Sequence, residues 1–551
     1  MQLKKTKIDF FMNSGVFFTR KNLFSLLKNH LHFLLFFIGT LLYIIKIDFF
    51  TKIPGDYFDT RFNHFVLEYF YGVLTGKNSS FIDGNFFFGL PNTMNLSDNH
   101  WLVAPFYSLI RFLGFNEILS YQIWVYLGLI ANFLVCYYVL RKFKFNALSS
   151  AIGAYLFAFN QINFERIGHI QLNLKIFIIL GIWYFKRYTD TQNFKYASYI
   201  LLCITLQLLC NIYLGCFFAF FMFFLSLFYF SHYNIDEFNK FFPKKFSYKI
   251  SLSIIALSIF ILIIWSYPYY QAMNIYNLKK PQILEGLDFN LSYLFNSLGN
   301  PIIKYFFSFF ETSSPRNYCE VFYFIGFAPW FILIYFLLNK KILKSLTQFE
   351  KNLLKATIAM LVFFHLEKYL GLFSLLQLFI DPFKNLRAYS RFVFVLIFVF
   401  IYFITLVINK FKFQNNWKYL QILILFLAVF EPFILRVNYA SVKQIEDEYF
   451  EVKRKFMEKN IQKNSVIYYA SKPDADYLDF INNQLIMMHL SNELRVKTIN
   501  GYSGFFPLSR KILKNCDDLP IIFAENEKII SKITKTQFKY DYNNIVSYCD
   551  F

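Results

Sequence analysis

The chain has 551 residues, of which 56% are hydrophobic and 17% charged, against about 25% charged in an ordinary soluble protein. With the apolar residues gathered into long runs, this composition excludes a soluble globular enzyme and points to a polytopic membrane protein. The net charge of +21 points to nucleic acid only if basic loops on one side of a membrane cannot account for it.

From the N-terminus, residues 1–30 form a basic cytoplasmic segment, and the apolar run Leu31 to Ile47 follows it. No small-residue cleavage site comes after the run, so it reads as an uncleaved first span. A helix needs about 20 mainly apolar residues to cross a bilayer. On that rule, spans fall near 31–50, 119–140, 147–161, 170–186, 196–211, 213–231, 250–268, 321–338, 354–370, 389–409 and 418–435. The expected fold is thus an all-α polytopic membrane domain over 31–435, with about eleven transmembrane helices. "LLCNIYLGC", with Asn211 at its middle, reads as a tight turn between two of them.

With the N-terminus inside, the cytoplasmic loops include "RKFK", "KRYTDTQNFK", "NKFFPKKFSYK" and "NKFKFQNNWK", each rich in Lys or Arg. This positive-inside pattern accounts for much of the basicity and leaves no case for nucleic acid. The large first external loop, 51–118, then lies outside, as do 161–169, 268–320 and 371–388. Within the first loop, "WLVAPFYSLIRFLGF" is apolar but short, and reads as a helix lying in the interface. A mixed, polar C-terminal segment, 436–551, also lies outside. Of the seven cysteines, Cys136, Cys203, Cys210 and Cys216 fall in apolar runs as packing residues, while Cys319, Cys516 and Cys549 are expected to meet water. None has metal-site spacing.

The ionisable groups of the external face are the candidates for chemistry. "GDYFDTRFNHFVLEYF", 55–70, read as a helix puts Asp56, Asp59 and Asn63 on one face. Arg61, His64 and Glu68 then share an adjacent face, and Phe62, Phe65 and Tyr69 form the apolar side. One aspartate is expected to cap the helix, leaving the other as a general base; Asp59-Thr60 is the ordinary capping signature. A divalent metal on the pair Asp56 and Asp59 is the other possibility. Further along, Asp98 and His100 of "SDNHW" either cap the interfacial helix or form an acceptor-binding edge. In "FERIGHIQLN", Glu165 and Arg166 read as a solvated surface pair, and His169 as a site candidate. "HLEKYL" brings His365, Glu367 and Lys368 close enough to pair. "DPFKNLRAYSRF" carries Lys384, suited to snorkelling. It also carries Arg387 and Arg391, an i, i+4 pair suited to phosphate oxygens. "NGYSGFFP", 500–507, reads as a turn.

These elements in this order resemble the GT-C superfamily of polytopic glycosyltransferases, including its YfhO-type bacterial branch. The residues carrying the resemblance are "GDYFDTR", "ALSSAIGAYLFAFN" followed by "GHIQLN", "LRAYSRF" and "NGYSGFFP". The resemblance implies a sugar donor on a polyprenyl phosphate and inverting transfer to an acceptor hydroxyl of a glycan, lipid or protein. The transfer would occur at the outer face of the bacterial cytoplasmic membrane. It implies Asp56 or Asp59 as base, with the spacing Asp-x-x-Asp departing from the Asp-x-Asp or Asp-Glu of some branches. Arg387 and Arg391, with His169, Arg61, Asp98 and His100 around them, are the expected contacts for donor phosphate and substrate. Two other readings stand beside it: a transporter or flippase of a lipid-linked glycan, and a non-catalytic membrane protein. Transporters gather their charges near the midplane and show repeated halves. Here the charges gather at one face.

Overall fold

A computed structural model describes residues 20–49, 51–98, 100–232, 248–276, 289–308, 321–379, 386, 388–411, 418–437, 439–459, 461–470, 477–504, 519–534, 537, 539 and 545–548. Lys384, Arg387, Cys319, Cys516, Cys549 and the end of "NGYSGFFP" lie outside these residues.

The first helix, α1 (Arg20–Ile47), ends where Asp48 turns left-handed, at φ 51°. A two-residue strand, β1 (Lys52–Ile53), follows and pairs antiparallel with β2 (Ala440–Ser441), which lies past the last predicted span. This bridge ties the segment after α1 to the C-terminal segment. Next come α2 (Asp59–Leu74), a 3₁₀ turn at Thr93–Leu96, α3 (Ala104–Phe112) and α4 (Glu117–Lys142). After them run α5 (Ala147–Ala158), α6 (Gln161–Glu165), α7 (Ile176–Thr191), α8 (Phe194–Cys210) and α9 (Ile212–Phe230). Asparagine starts five of these helices. Asn116, Asn146, Asn160, Asn193 and Asn211 each accept a backbone amide of the first turn, which satisfies a donor the helix itself cannot. Asn211 separates α8 from α9 as a single extended residue, as the sequence predicts.

The second half holds α10 (Tyr248–Ile275), α11 (Pro301–Ser308), α12 (Phe327–Leu338), α13 (Lys340–Lys344), α14 (Gln348–Leu370) and α15 (Leu372–Phe379). It closes with α16 (Val393–Asn409) and α17 (Lys418–Phe430). Nearly every side chain of α16 is buried, so α16 is the axis of the bundle and packs against α5, α9 and α12. α10 is the opposite case: Leu252, Leu257, Phe260 and Ile263 all stand exposed.

Among the described residues, four stretches are long and apolar enough to cross a membrane, by length and composition: Glu117–Lys142, Ile212–Phe230, Lys249–Ile275 and Tyr389–Asn409. Other apolar helices, among them His32–Ile47, Phe194–Cys210 and Phe327–Leu338, are shorter. The expected span at 147–161 becomes a helix of 12 residues, about 18 Å at 1.5 Å per residue, because Asn160 starts a new helix and breaks the run. The predicted interfacial segment does form a short helix, α3. Its Phe106, Leu109 and Phe112 are exposed on one side while Tyr107 and Ser108 are buried on the other. Cys136, Cys203, Cys210 and Cys216 are buried free thiols, as expected.

The C-terminal segment forms a small α/β unit. It contains α18 (Val442–Met457), β3 (Val466–Tyr469), α19 (Tyr477–Leu494), β4 (Lys497–Thr498), α20 (Leu519–Thr534) and β5 (Ile545–Tyr548). The three strands are parallel in the order β4-β3-β5, so β3 is central and the strand order reverses at it. In open α/β sheets the carboxyl ends of the strands at such a reversal face a crevice. Here those ends lead towards α2. Phe62, Phe65 and Tyr69 of α2 share one apolar core with Leu485 and Met488 of α19 and Tyr468 of β3.

Candidate functional site

The two aspartates of the first loop have different environments. Asp56 Oδ1 accepts the amides of Phe58, at 3.1 Å, and Thr60, at 3.0 Å. It is therefore Asp56, not Asp59-Thr60, that serves the free amides at the start of α2. Burial raises the Asp56 carboxyl above the usual range, with the neighbouring Asp59 charge adding to it. Asp59 is the first helical residue. Its Oδ1 accepts the Tyr502 hydroxyl at 3.0 Å, and His169 Nδ1 lies 3.2 Å from its Oδ2. The Asp59 side chain keeps 35% of its surface exposed.

Two glycines make this meeting possible. Gly55 holds φ +122°, and a Cβ there would come within 2.5 Å of Gly168 Cα and 1.9 Å of Thr60 Oγ1. The loop carrying His169 thus crosses the start of α2 backbone on backbone. Asn63, one turn on, donates to the Gly168 carbonyl at 3.3 Å, and its Oδ1 lies 2.8 Å from His100 Nε2. Asp59, Asn63, His169 and His100 thus join on one side of α2, the face assigned from helical spacing. Burial drives the His100 imidazole down to about 4, so it donates from a neutral ring.

Asp98 does not cap the interfacial helix. Its Oδ1 accepts the Ile212 amide at 3.0 Å and its Oδ2 accepts Asn211 Nδ2 at 2.6 Å, so it caps α9 from another loop. The reason is local: His100 takes a left-handed φ of 55° and turns the chain before α3 begins. Burial pushes the Asp98 carboxyl up to about 6, while the Ile212 amide and the Arg391 charge oppose the rise. Arg391 lies over the Tyr213 ring, its Cζ 4.6 Å from the centroid, on the first turn of α9. Asp98 and Arg391 are thus neighbours at one helix end. Arg387 lies outside the described residues.

Arg61 faces the C-terminal unit. Its guanidinium donates to Asn482, its carbonyl lies 3.1 Å from His489 Nε2, and burial lowers its pKa to about 10. Glu165 and Arg166 are not a solvated surface pair. Glu165 accepts the Ser297 hydroxyl and the Gly299 amide, and Arg166 lies over Tyr323 at 5.1 Å. Both are buried, Glu165 against Ser297 and Gly299 and Arg166 against Tyr323. Glu367 binds the Ser374 amide at 3.0 Å and the Phe373 amide, starting α15 rather than pairing with Lys368 or His365.

Among the described residues, no three His, Cys, Asp or Glu side chains gather as a metal-ligand set. Asp56 faces backbone amides, and the two Asp59 oxygens face Tyr502 and His169, so the pair does not fit the divalent metal considered from the sequence.

The site residue that sequence reasoning passed over is Tyr502. "NGYSGFFP" begins two residues past β4. Asn500 bridges to β3 through the Tyr469 amide and carbonyl, both at 2.9 Å, and Gln484 Oε1 accepts the Gly501 amide at 3.0 Å. That clamp fixes the backbone from which Tyr502 reaches Asp59. Two glycines with Tyr, Ser and Pro, read as a turn, were the signal there, and it did not name a partner.

The family described as a domain of unknown function (DUF6311) matches residues 87–430 of the chain. The chain belongs to this family. The DUF6311 match takes in Asp98, His100, His169 and Arg391. Asp56, Asp59 and Tyr502 lie outside its bounds, so the candidate site is assembled from DUF6311 residues together with the segments on either side. No curated protein matches the chain.

Proposed function

We propose that this protein is a GT-C-type membrane glycosyltransferase of the bacterial cytoplasmic membrane, with the N-terminus inside and the site outside. It would move a sugar from a polyprenyl-phosphate donor to an acceptor hydroxyl. The full set of about eleven crossings belongs to this proposal. The carrying observation is the different use of the two aspartates. Asp56 serves backbone amides, while Asp59 is partly exposed and oriented by Tyr502 and His169.

In this reading Asp59 takes the proton of the acceptor hydroxyl as its oxygen attacks the anomeric carbon. The bond from that carbon to the phosphate oxygen breaks, the polyprenyl phosphate departs, and the configuration inverts. His169 beside the carboxylate and the Tyr502 hydroxyl hold Asp59 in one orientation. Arg391, together with Arg387, would meet the phosphate, since guanidinium groups suit its oxygens. α3 supports the one-sided arrangement: its exposed apolar face fits a helix lying at head-group depth.

The test is envelope glycan composition in cells whose sole copy carries Asp59→Asn or Asp56→Asn. Loss of a glycan in the first and retention in the second supports the reading. Unchanged glycan in both, and in the double variant, removes it.

A further inference from the structure

A cavity of about 510 Å³ opens between α2, the start of α4, α18 and α19, where the segment after α1 meets the C-terminal unit. Interfaces between such units are common places for small-molecule sites, and this volume falls in their usual range.

Most charges on its wall are already answered. Arg111 uses all three guanidinium nitrogens. Its Nε lies 2.7 Å from Glu68, its Nη2 3.3 Å from Glu68 and 3.7 Å from Glu117, and its Nη1 donates to the Phe115 carbonyl at 2.6 Å. Glu493 is held by Lys453 and Tyr449, and the Arg61 guanidinium donates to Asn482. Three wall residues differ. Lys77, Arg495 and Glu446 are exposed, and none makes an ion pair or a side-chain hydrogen bond among the described residues.

The two cations share one rim. Asn78 Nδ2 donates to Asn492 Oδ1 at 2.8 Å, which holds the end of α2 beside the end of α19. Lys77 adjoins Asn78, with its Nζ 5.8 Å from the Tyr71 ring centroid. Arg495 follows α19 with a left-handed φ of 57°. Glu446 belongs to the α18 wall.

These uncommitted charges select the ligand chemistry. A purely anionic ligand meets Glu446, and a purely cationic one meets Lys77 and Arg495. A ligand with both groups answers all three, because phosphate oxygens suit the two cations and an ammonium suits the carboxylate. The rest of the wall asks for an apolar body. Ile53, Ile118, Val442 and Ile445 line it. Tyr71 extends it outward: the exposed Phe112 of α3 stands edge-on to the Tyr71 ring, with centroids 5.2 Å apart. The apolar face of α3 therefore begins at the cavity and offers hydrocarbon chains a place to lie.

We propose that this cavity binds the head group of a zwitterionic phospholipid of the phosphatidylethanolamine kind, with the phosphate at Lys77 and Arg495 and the ammonium at Glu446. The site is separate from Asp59 and does not depend on the transfer chemistry proposed above.

The test is native mass spectrometry of the full chain released from nanodiscs of phosphatidylethanolamine and phosphatidylglycerol in equal amounts. The wild type is expected to retain phosphatidylethanolamine in preference. Retention is expected to fall at least about tenfold when Lys77→Ala and Arg495→Ala are combined. Glu446→Gln should bring phosphatidylethanolamine down to the level of phosphatidylglycerol. Each substitution is at an exposed side chain with no hydrogen bond to lose. Lys144→Ala, exposed after α4, and Asp59→Asn should leave retention unchanged. No retained lipid overturns the proposal, as does a wild-type preference for phosphatidylglycerol or retention that survives the double variant. Displacement by soluble phosphoethanolamine at millimolar concentration also overturns it, since the ligand would then be a soluble phosphate ester and not a lipid.

Discussion

Asp59 and Tyr502 are 443 positions apart in the chain and are joined by a hydrogen bond of 3.0 Å. The bond links the first residue of α2 to the loop that follows β4 in the C-terminal unit. The short β1–β2 bridge, with the Ala440 amide donating to the Gly55 carbonyl at 2.9 Å, holds the same two regions together one turn away. Tyr502 thus makes the C-terminal unit part of the candidate site.

The two aspartates should separate cleanly by substitution. Asparagine caps helices about as well as aspartate, so Asp56→Asn is expected to keep near-native stability and glycan modification. Asp56→Ala, which leaves the Phe58 and Thr60 amides unserved, is expected to cost about 0.5–2 kcal/mol. Asp59→Asn should leave the melting temperature near wild type and abolish modification. Thermal melts of the purified variants beside glycan analysis of the cells check both.

Tyr502→Phe removes one hydroxyl and keeps the ring edge-on against Phe62. A net loss of about 0.5–1.5 kcal/mol is expected for the bond, and a rate loss of up to about tenfold if that energy orients the base. A Tyr502→Phe protein with unaltered transfer would show that this hydroxyl only docks the C-terminal unit.

Gly55→Ala tests the backbone crossing. At φ +122° an L side chain is strained whatever its surroundings, and here it also meets Thr60 and Gly168. Strain of this kind costs about 1–3 kcal/mol. The loop bearing His169 is expected to be displaced from Asp59, so Gly55→Ala should lose activity as well as stability. An active, fully stable Gly55→Ala protein would contradict the close approach.

His100 sets a pH dependence. Burial lowers its folded pKa to about 4, from about 6.5 in an unfolded chain. In that interval the unfolded chain binds a proton that the folded chain does not, so stability falls as the pH drops from 6.5 towards 4. The expected slope from this one group is about 1.4 kcal/mol per pH unit. His100→Asn, which keeps a donor for Asn63, should lose that share of the slope in melts recorded across the interval.

Orientation is checked by labelling. Ser79 and Lys144 are both exposed, one in the first loop and one in "RKFK". In intact spheroplasts, a membrane-impermeant maleimide is expected to label Ser79→Cys. Lys144→Cys should be labelled only after permeabilisation. The reverse result would invert the topology and place Asp59 inside.

Much of the helical architecture was legible in the chain because hydropathy and capping are local properties. The Asn211 turn, the short α3 helix, the four buried cysteines and the faces of α2 all follow from runs, caps and helical spacing. Where the sequence misled, a distant partner decided the outcome. Glu165 and Arg166 look like a surface pair until Ser297, Gly299 and Tyr323 close over them. Asp98 stands in front of α3 but caps α9, because a left-handed His100 turns the chain between them. The predicted span at 147–161 was cut short by Asn160, whose capping strength a hydropathy window does not see.

By itself, then, the sequence determined that the chain is mostly helical, where its long apolar helices lie, and that Asp59 and Asn63 share a helix face. Only the tertiary structure decided that Asp56 caps while Asp59 meets Tyr502 and His169. Those outcomes depend on contacts between segments hundreds of residues apart, and no local pattern of hydropathy or spacing encodes which buried polar atom will find a partner.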